Sequence, residues 1–257
     1  MIVLRSAIMA LALFTRIPMP TLAWERSNMR HILVALPFVG VIVAGLLQLW
    51  LWLSGLLGFG QALFACGLTL VPVLLTGGIH LDGYCDTVDA LSSRGDTEKK
   101  LAILKDPHIG AFALIGVAAY LLAYFALACE LTPSVTVVGL LGVAAVQSRA
   151  VGVFASIAFA TARHSDLLSA TRQGAGRPAA VVCALWFVAA GAVGFLLEWR
   201  IALAAALGAL VALVYARVMS RRQFGGMSGD VAGFTIQMCE ILALLALVLT
   251  EKVVVLL

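Results

Sequence analysis

The chain alternates between long runs of apolar residues and short polar segments. A helix needs about 20 apolar residues to cross the hydrocarbon of a bilayer. The runs lack the strict alternation of barrel strands, and lipid offers no hydrogen bonds to an open backbone, so we predict helices. About seven runs qualify, give or take one: residues 32–57, 60–78, 109–129, 134–161, 178–197, 200–219 and 232–250.

The first apolar run, residues 2–14, is shorter than these spans and includes Arg5. No small-residue cleavage site precedes Arg16, so the run is not typical of a signal peptide. Pro18 and Pro20 end it, because proline lacks the N–H group that a helix needs. We predict a short helix that lies in the membrane interface or re-enters the protein.

Composition agrees with this pattern. Hydrophobic residues make up 63% of the chain and charged residues 12%, and the mean hydropathy is +1.08, which places the chain outside the range of soluble domains. No internal repeat and no Gly- or Ser-rich linker divides it. The predicted fold class is therefore an all-α, polytopic membrane helical bundle, with residues 1–257 as one domain.

Basic residues predict the orientation, because cytoplasmic loops carry the excess of Lys and Arg. With the N-terminal segment in the cytoplasm, only Arg200 and Lys252 fall on the opposite side. The net charge of +4 reflects this topology and not nucleic-acid binding. The residues assigned to the cytoplasmic side are Arg16, Arg26, Arg30, Arg94, Lys99, Lys100, Lys105, Arg163, Arg172, Arg177, Arg217, Arg221 and Arg222.

Residues 76–110 form a polar segment between two apolar runs. Asp82, Asp86 and Asp89 are spaced so that on a helix they share one face, where they repel one another. A chain this apolar has no solubility reason to crowd carboxylates, so we predict a cation or a phosphate-bearing ligand. The alternative is a solvated loop whose acids pair with basic neighbours. Those neighbours are Arg94, Lys99 and Lys100.

The same segment carries other candidate groups. Gly77 and Gly78 allow a tight turn and close approach of a ligand. His80 is placed to orient a hydroxyl nucleophile or accept its proton, or else to cap a helix end. Lys105 is a point charge suited to phosphate, and Asp106 followed by proline is either a metal ligand or an ordinary helix start.

A third group of residues lies near the C-terminus. The glycine-dense turn 225–229 precedes an apolar run, where backbone N–H groups form anion nests, and Asp230 adds a metal-type ligand. Glu240 and Arg149 fall at membrane depth, which marks either function or mutual pairing. A structural ion pair between them is as consistent with the sequence as a catalytic role.

Taken together, these motifs resemble the cobalamin synthase family, the adenosylcobinamide-GDP ribazoletransferases, from end to end. No single motif is specific by itself. The residues that carry the resemblance are Phe14 to Pro18, Thr76 to Gly78, His80, Asp82, Gly83, Asp86, Asp89, Lys105, Asp106, Ile109, Gly110, Ser148, Arg149, Gly225, Gly226, Ser228, Gly229, Asp230, Gly233 and Glu240.

The resemblance implies a Mg²⁺-dependent integral membrane phosphotransferase. It would move the adenosylcobinamide-phosphate group from adenosylcobinamide-GDP to α-ribazole or α-ribazole 5′-phosphate, releasing GMP and forming adenosylcobalamin or its 5′-phosphate. The implied location is the bacterial inner membrane, with the active-site loops facing the cytoplasm. Membrane lipid is a further expected partner, and a homo-oligomer and other late enzymes of cobamide assembly are candidates.

The mechanistic hypothesis assigns the roles as follows. Asp82, Asp86 and Asp106 bind Mg²⁺, with Asp89 and Asp230 as further ligands or orienting groups. His80 or Asp89 activates the hydroxyl, which requires a positioned acceptor beside the metal. The residues expected to bind phosphate or other parts of the substrates are Arg16, Gly77, Gly78, Lys105, His108, Arg149, Gly225, Gly226, Ser228, Gly229 and Glu240.

Three positions differ from the family pattern. Ala90 follows Asp89 where glycine is usual, and Pro107-His108 stands where serine and arginine are common. A histidine ring lacks the permanent positive charge of an arginine side chain. The difference therefore weakens the phosphate contact expected at that position.

Two other functions remain as alternatives. A CDP-alcohol phosphotransferase also uses aspartates on membrane helices, but it has an Ala-Arg pair soon after its first Asp-Gly, and none follows Gly83 here. An ion-coupled transporter has buried acids near the membrane midplane, often with inverted repeats. No repeat is visible, and the acids cluster at one face.

Overall fold

The computed structural model describes residues 2–20, 22, 31–162 and 176–256. Across these residues the fold is all-helical, as predicted, apart from one isolated bridge between Thr161 and Met227. The helices, in chain order, are α1 (Ile2–Phe14), α2 (Ile32–Leu57), α3 (Gln61–Thr76), α4 (Ile79–Ser92), α5 (Thr97–Ile103), α6 (Ala111–Cys129), α7 (Val135–Ala158), α8 (Arg177–Phe224) and α9 (Gly229–Leu256).

Five of the described helices are long and apolar enough to cross a membrane, namely α2, α6, α7, α8 and α9, or six spans if the bent pair α3–α4 is counted as one. Helix α8 has 48 residues and would be about 72 Å long if straight, more than twice the hydrocarbon thickness. Glu198 breaks it with an extended backbone (φ −160°, ψ 105°), and the Glu198 carboxylate caps the second part by accepting from the N–H of Ile201 at 2.8 Å. The predicted spans 178–197 and 200–219 are therefore the two parts of α8, and the multi-pass architecture is confirmed.

The predicted span 60–78 ends at a sharp corner. Gly77 (φ +64°) and Gly78 (φ +79°) both adopt the left-handed conformation that glycine tolerates best, and α4 leaves α3 at an angle of 95°. Helix α4 has only 14 residues and carries three aspartates, so it does not continue across the bilayer. We treat α4 as lying outside the spanning segments.

Helix α7 forms the centre of the bundle. In its most apolar stretch 89% of residues are buried, against 17% for α8, which faces outward. Small residues permit this packing: a Cβ at Gly40 of α2 would lie 2.6 Å from the carbonyl oxygen of Ala145, and one at Gly142 would lie 2.5 Å from Cβ of Ala44. Close backbone approach through small residues is typical of helices packed in membranes.

The predicted short N-terminal helix is present as α1, and it packs against α2. One end of the bundle holds the starts of α6 and α9, the whole of α5 and the basic end of α8 with Arg217, Arg221 and Arg222. At the opposite end Lys252 bonds Glu130 at 2.9 Å. The predicted cytoplasmic orientation of the first end stays a prediction, and Arg26, Arg30, Arg163 and Arg172 lie outside the described residues.

Candidate active site

Two glycines bring α4 and α9 into backbone contact. A Cβ at Gly83 would lie 2.8 Å from the carbonyl oxygen of Asp230. A Cβ at Gly233 would lie 3.0 Å from the carbonyl oxygen of His80. Because no side chain separates the two helices here, Asp230 at the start of α9 is brought beside the acidic face of α4.

Asp82, Asp86, Asp89 and Asp230 form what we call the carboxylate cluster. The first three share one face of α4, as predicted, and Asp230 joins them from α9. Burial, and then the negative charges of the other three carboxylates, raise the pKa of the Asp86 carboxyl to about 6. The four negative charges of the cluster therefore repel one another, and no positive side chain of the described residues offsets this repulsion at Asp86.

The carboxylate cluster is not neutralised by the basic neighbours with which a solvated loop would pair it, namely Arg94, Lys99 and Lys100. Within the described ranges, neither Arg94 nor Lys99 forms an ion pair with it. Lys100 is buried, and its ammonium group donates to the side-chain oxygen of Gln223 on α8. The acids of α4 are thus not paired with these basic neighbours.

The chemistry of the cluster suits a hard divalent cation. All its donors are carboxylate oxygens, which Mg²⁺ prefers. In the part of the chain that the structure describes, no three His, Cys, Asp or Glu side chains are close enough to enclose an ion by themselves. Mg²⁺ is commonly held by one or two carboxylates and completed by water and substrate phosphate, so the residues present fit a metal that binds together with a phosphorylated substrate.

Asp89 has a second role that the sequence pattern did not predict. Its Oδ1 accepts the N–H of Ala113 at 3.3 Å, in the first turn of α6. A Cβ at Gly110 would lie 2.2 Å from this carboxylate, so the glycine makes room for it. Asp89 thereby caps α6 from another helix and holds its positive N-terminal end beside the cluster.

The start of α9 is the second helix N-terminus at the cluster. Ser228 Oγ accepts the N–H of Val231 at 3.2 Å, which caps the helix. The Gly225–Gly229 turn is anchored elsewhere: Gly226 N–H donates to Ser220 O at 3.0 Å, and Met227 N–H donates to Ala160 O at 2.7 Å. These two N–H groups are already bonded and do not form part of an anion nest.

Arg16 lies over the corner between α3 and α4. Its N–H donates to the carbonyl oxygen of Leu75 at 2.7 Å, and its Nε lies 2.8 Å from where a Cβ of Gly77 would be. The side chain is exposed, and it forms no ion pair within the described residues. Its charge is therefore available to an anion, as the phosphate-binding prediction requires.

His80 is buried just beyond this corner, with 4% of its surface exposed. Its Nε2 has no hydrogen-bond partner in the described part of the chain. The ring stacks on Phe14 at the end of α1, with centroids 6.2 Å apart and an interplanar angle of 25°. Phe14 stood out in the sequence only as part of the family motif, and its contact with His80 was not predicted, because one aromatic residue at the end of an apolar helix gives no signal of such a contact.

Lys105, Asp106 and His108 lie in the exposed loop before α6. Asp106 Oδ1 bonds the His108 ring at 2.6 Å and accepts the His108 N–H at 3.0 Å, and these bonds lower the pKa of Asp106. The helix start considered at Asp106 is wrong, because α6 begins at Ala111 with Gly110 as its N-cap. The charge of Asp106 also does not contribute to the raised pKa of Asp86, so Asp106 is not part of the carboxylate cluster.

Arg149 and Glu240 are bonded to each other deep in the bundle. Arg149 Nη1 donates to Glu240 Oε1 and to the carbonyl oxygen of Ala145 at 2.8 Å, and both charged side chains are buried. Arg149 Nε has no partner within the described residues. Beside the pair is a cavity of about 10 Å³, room for about one water, lined also by Tyr120 and Tyr124. The mutual pairing considered from the sequence is present, and substrate contact by either residue stays a prediction.

Comparison with known proteins places this site in context. A family model described as cobalamin-5-phosphate synthase matches residues 6–248. A protein of Lachnoclostridium phytofermentans, named adenosylcobinamide-GDP ribazoletransferase, is 35% identical over 98% of this chain and 96% of its own length. Proteins of the same name from Clostridium perfringens (31% identical, 93% of this chain and 95% of theirs) and Listeria monocytogenes (30%, 96% and 98%) are also similar. No solved structure matches the chain.

Proposed function

The chain belongs to the cobalamin-5-phosphate synthase family, and on this premise we propose that it is a membrane-bound adenosylcobinamide-GDP ribazoletransferase. It transfers the adenosylcobinamide-phosphate group of adenosylcobinamide-GDP to α-ribazole or α-ribazole 5′-phosphate and releases GMP. The observation that carries the proposal is a cluster of four carboxylates that no basic side chain among the described residues neutralises, in a chain that is similar, over nearly its whole length, to relatives of that name. This similarity favours the transferase over the CDP-alcohol phosphotransferase and transporter alternatives.

The carboxylate cluster supplies the ligands for Mg²⁺ in this proposal. Asp82 and Asp86 would hold the ion, with Asp230 beside them, while Asp89 orients the start of α6. When bound, Mg²⁺ neutralises charge on the pyrophosphate of adenosylcobinamide-GDP. Asp106 is assigned to the same ion by the family resemblance, and it joins the site only if the loop before α6 moves inward from its exposed position.

Positive groups around the cluster bind the phosphates. Arg16 contributes a guanidinium that forms no ion pair within the described residues, and the N-termini of α6 and α9 add two partial positive charges. Lys105 is exposed beside the start of α6 and adds a mobile charge. Together these groups stabilise the negative charge that GMP carries away.

The reaction is a displacement at phosphorus. The ribose hydroxyl forms a bond to the phosphorus on the cobinamide side, and the bond from that phosphorus to the bridging oxygen breaks, so that GMP leaves with the electron pair. The hydroxyl proton needs an acceptor. Between the two candidates, we assign it to His80, whose Nε2 has no partner within the described residues, because Asp89 already accepts the N–H of Ala113.

We place the protein in the bacterial inner membrane, with the carboxylate cluster at the cytoplasmic side. The basic end of α8, with Arg221 and Arg222, lies at the same end of the bundle as the cluster, which supports this orientation. Membrane lipid surrounds the outward-facing surface of α8. A homo-oligomer and contact with other late enzymes of cobamide assembly remain candidate associations.

The test is an assay of purified, detergent-solubilised protein with adenosylcobinamide-GDP, α-ribazole 5′-phosphate and Mg²⁺. We expect GMP and the cobamide in equal amounts, and loss of about 100-fold or more of the rate in Asp82→Asn. Glu98→Gln is the matched control, since Glu98 is an exposed acid of the same polar segment outside the cluster. Absence of product from folded wild-type protein would reject the proposal, and turnover of CDP-alcohol substrates or uptake by proteoliposomes would identify which alternative holds.

A further inference from the structure

The end of α1 forms a wall of the candidate active site. Thr15 and Arg16 continue the chain beyond α1, and the N–H of Arg16 bonds Leu75 in the last turn of α3. The guanidinium of Arg16 covers Gly77, while the ring of Phe14 covers His80. One short segment of the N-terminus therefore contacts both sides of the corner that introduces the carboxylate cluster.

The orientation of the His80 ring depends on this wall. Within the described residues no hydrogen bond reaches the ring, and its Nε2 has no partner. The terminal torsion of histidine has a broad energy profile, so the side chain does not fix its own ring plane. The stacked ring of Phe14, 6.2 Å away, is the aromatic contact that restricts it. Beneath the ring, Gly233 allows the backbone of α9 to touch that of His80.

We propose that Phe14 is a positioning residue for His80. This inference rests on the proposed function, in which His80 accepts the proton of the attacking hydroxyl. In this proposal Phe14 fixes the plane of the imidazole from which Nε2 accepts the proton, and it acts only through His80. A misplaced acceptor slows the chemical step by about 10- to 100-fold while leaving substrate binding unchanged.

Phe14 also packs in a hydrophobic cluster with residues of α2 and α7, so its removal lowers stability as well. Leu11 provides the matched control. It lies one turn earlier on α1 and packs in the same cluster, but it has no ring contact with His80. The Leu11→Ala variant therefore measures the effect of lost packing without a change in the ring contact to His80.

The kinetic test compares five variants with wild type: Phe14→Ala, Phe14→Tyr, Leu11→Ala, His80→Ala and the double variant of Phe14 and His80. We expect Phe14→Ala to lower kcat about tenfold with KM for both substrates changed less than about twofold, while Phe14→Tyr, which keeps the ring, and Leu11→Ala stay near wild type. The decisive comparison is Phe14→Ala in a His80→Ala background, where we expect no further loss, because both changes remove the same function. If the fall in kcat of the double variant equals the product of the falls in the two single variants, Phe14 and His80 act independently and the proposal is overturned.

A second readout does not depend on activity. The chain has four histidines, so the His80 signal in protein labelled at the imidazole ring is assigned by its absence from His80→Ala. We expect Phe14→Ala to shift this signal and Leu11→Ala to leave it in place, and an unchanged signal in Phe14→Ala contradicts the positioning role. If His80→Ala turns over like wild type, the inference fails while the transferase activity stands. If wild type makes no product but the shift is seen, the contact is real and the proposed function is what fails.

Discussion

The carboxylate cluster and the Arg149–Glu240 pair are two places in this bundle where charged side chains come together, and they differ in how that charge is satisfied. The cluster collects acids without a positive partner among the described residues, at the end of the bundle where α6 and α9 begin. Arg149 and Glu240 bond each other in the interior, where both are buried. An unbalanced cluster implies a ligand that completes it, whereas a closed pair implies a contact that holds α7 against α9.

The largest expected effect comes from breaking the closed pair. Glu240→Leu leaves Arg149 buried without its counter-charge, and we expect a loss of about 3–5 kcal/mol in the free energy of unfolding. Thermal unfolding in detergent measures this change. The double variant Arg149→Met with Glu240→Leu removes both charges, and we expect it to regain most of the stability. If the double variant is folded but inactive, the pair serves the reaction, and the contrast between the two regions fails.

Removal of one charge from the cluster should have the opposite effect on stability. Asp86→Asn relieves repulsion among the four carboxylates, so in metal-free buffer we expect an unfolding temperature equal to or above that of wild type. We expect the rate of GMP release to fall about 100-fold, because a ligand for the cation is lost. A variant that is both less stable and fully active would show that Asp86 serves the fold and not the reaction.

Most of the fold followed from hydrophobic length alone, whereas the geometry of the interruptions required the three-dimensional structure. The two parts of α8 were predicted as separate spans, 178–197 and 200–219, and the structure shows that they are one helix broken at Glu198. The 95° corner after α3 could be anticipated as a turn from Gly77-Gly78, but not its angle. That angle depends on the packing of α4 against α9, which local sequence does not encode.

The site was predictable to a similar extent. The shared face of Asp82, Asp86 and Asp89 follows from helical periodicity. The addition of Asp230 depends on a backbone contact at Gly83, and the contact between Phe14 and His80 joins residues 66 positions apart, from their numbers in the chain. Pairing of Arg149 with Glu240 was one of two interpretations. The sequence shows that both charged residues lie at membrane depth, but it does not show whether each is paired with another side chain or with a substrate.

The contact that brings Asp230 into the cluster can be tested at Gly83. Gly83→Ala places a methyl group within 3 Å of the Asp230 backbone, so α4 and α9 must move apart, at a cost of about 1–3 kcal/mol. We expect both a lower unfolding temperature and a slower reaction. Gly55→Ala in α2 is the control, since nothing lies within 4 Å of its added methyl and alanine favours helix. Equal stability of the two variants would show that the crossing is looser than the geometry indicates.

The smallest expected effect concerns Asp89, which belongs to the carboxylate cluster and also caps α6. Two substitutions separate these roles. Asp89→Asn keeps a side-chain oxygen for the N–H of Ala113 but removes the negative charge, whereas Asp89→Ala removes both. Loss of a cap costs about 1 kcal/mol, so we expect the alanine variant to unfold at a lower temperature than the asparagine variant. If both variants lose the same activity while only the alanine variant loses stability, the charge of Asp89 acts in the reaction and its hydrogen bond in the fold. If asparagine retains full activity, Asp89 contributes only as a cap, and the functional cluster reduces to Asp82, Asp86 and Asp230.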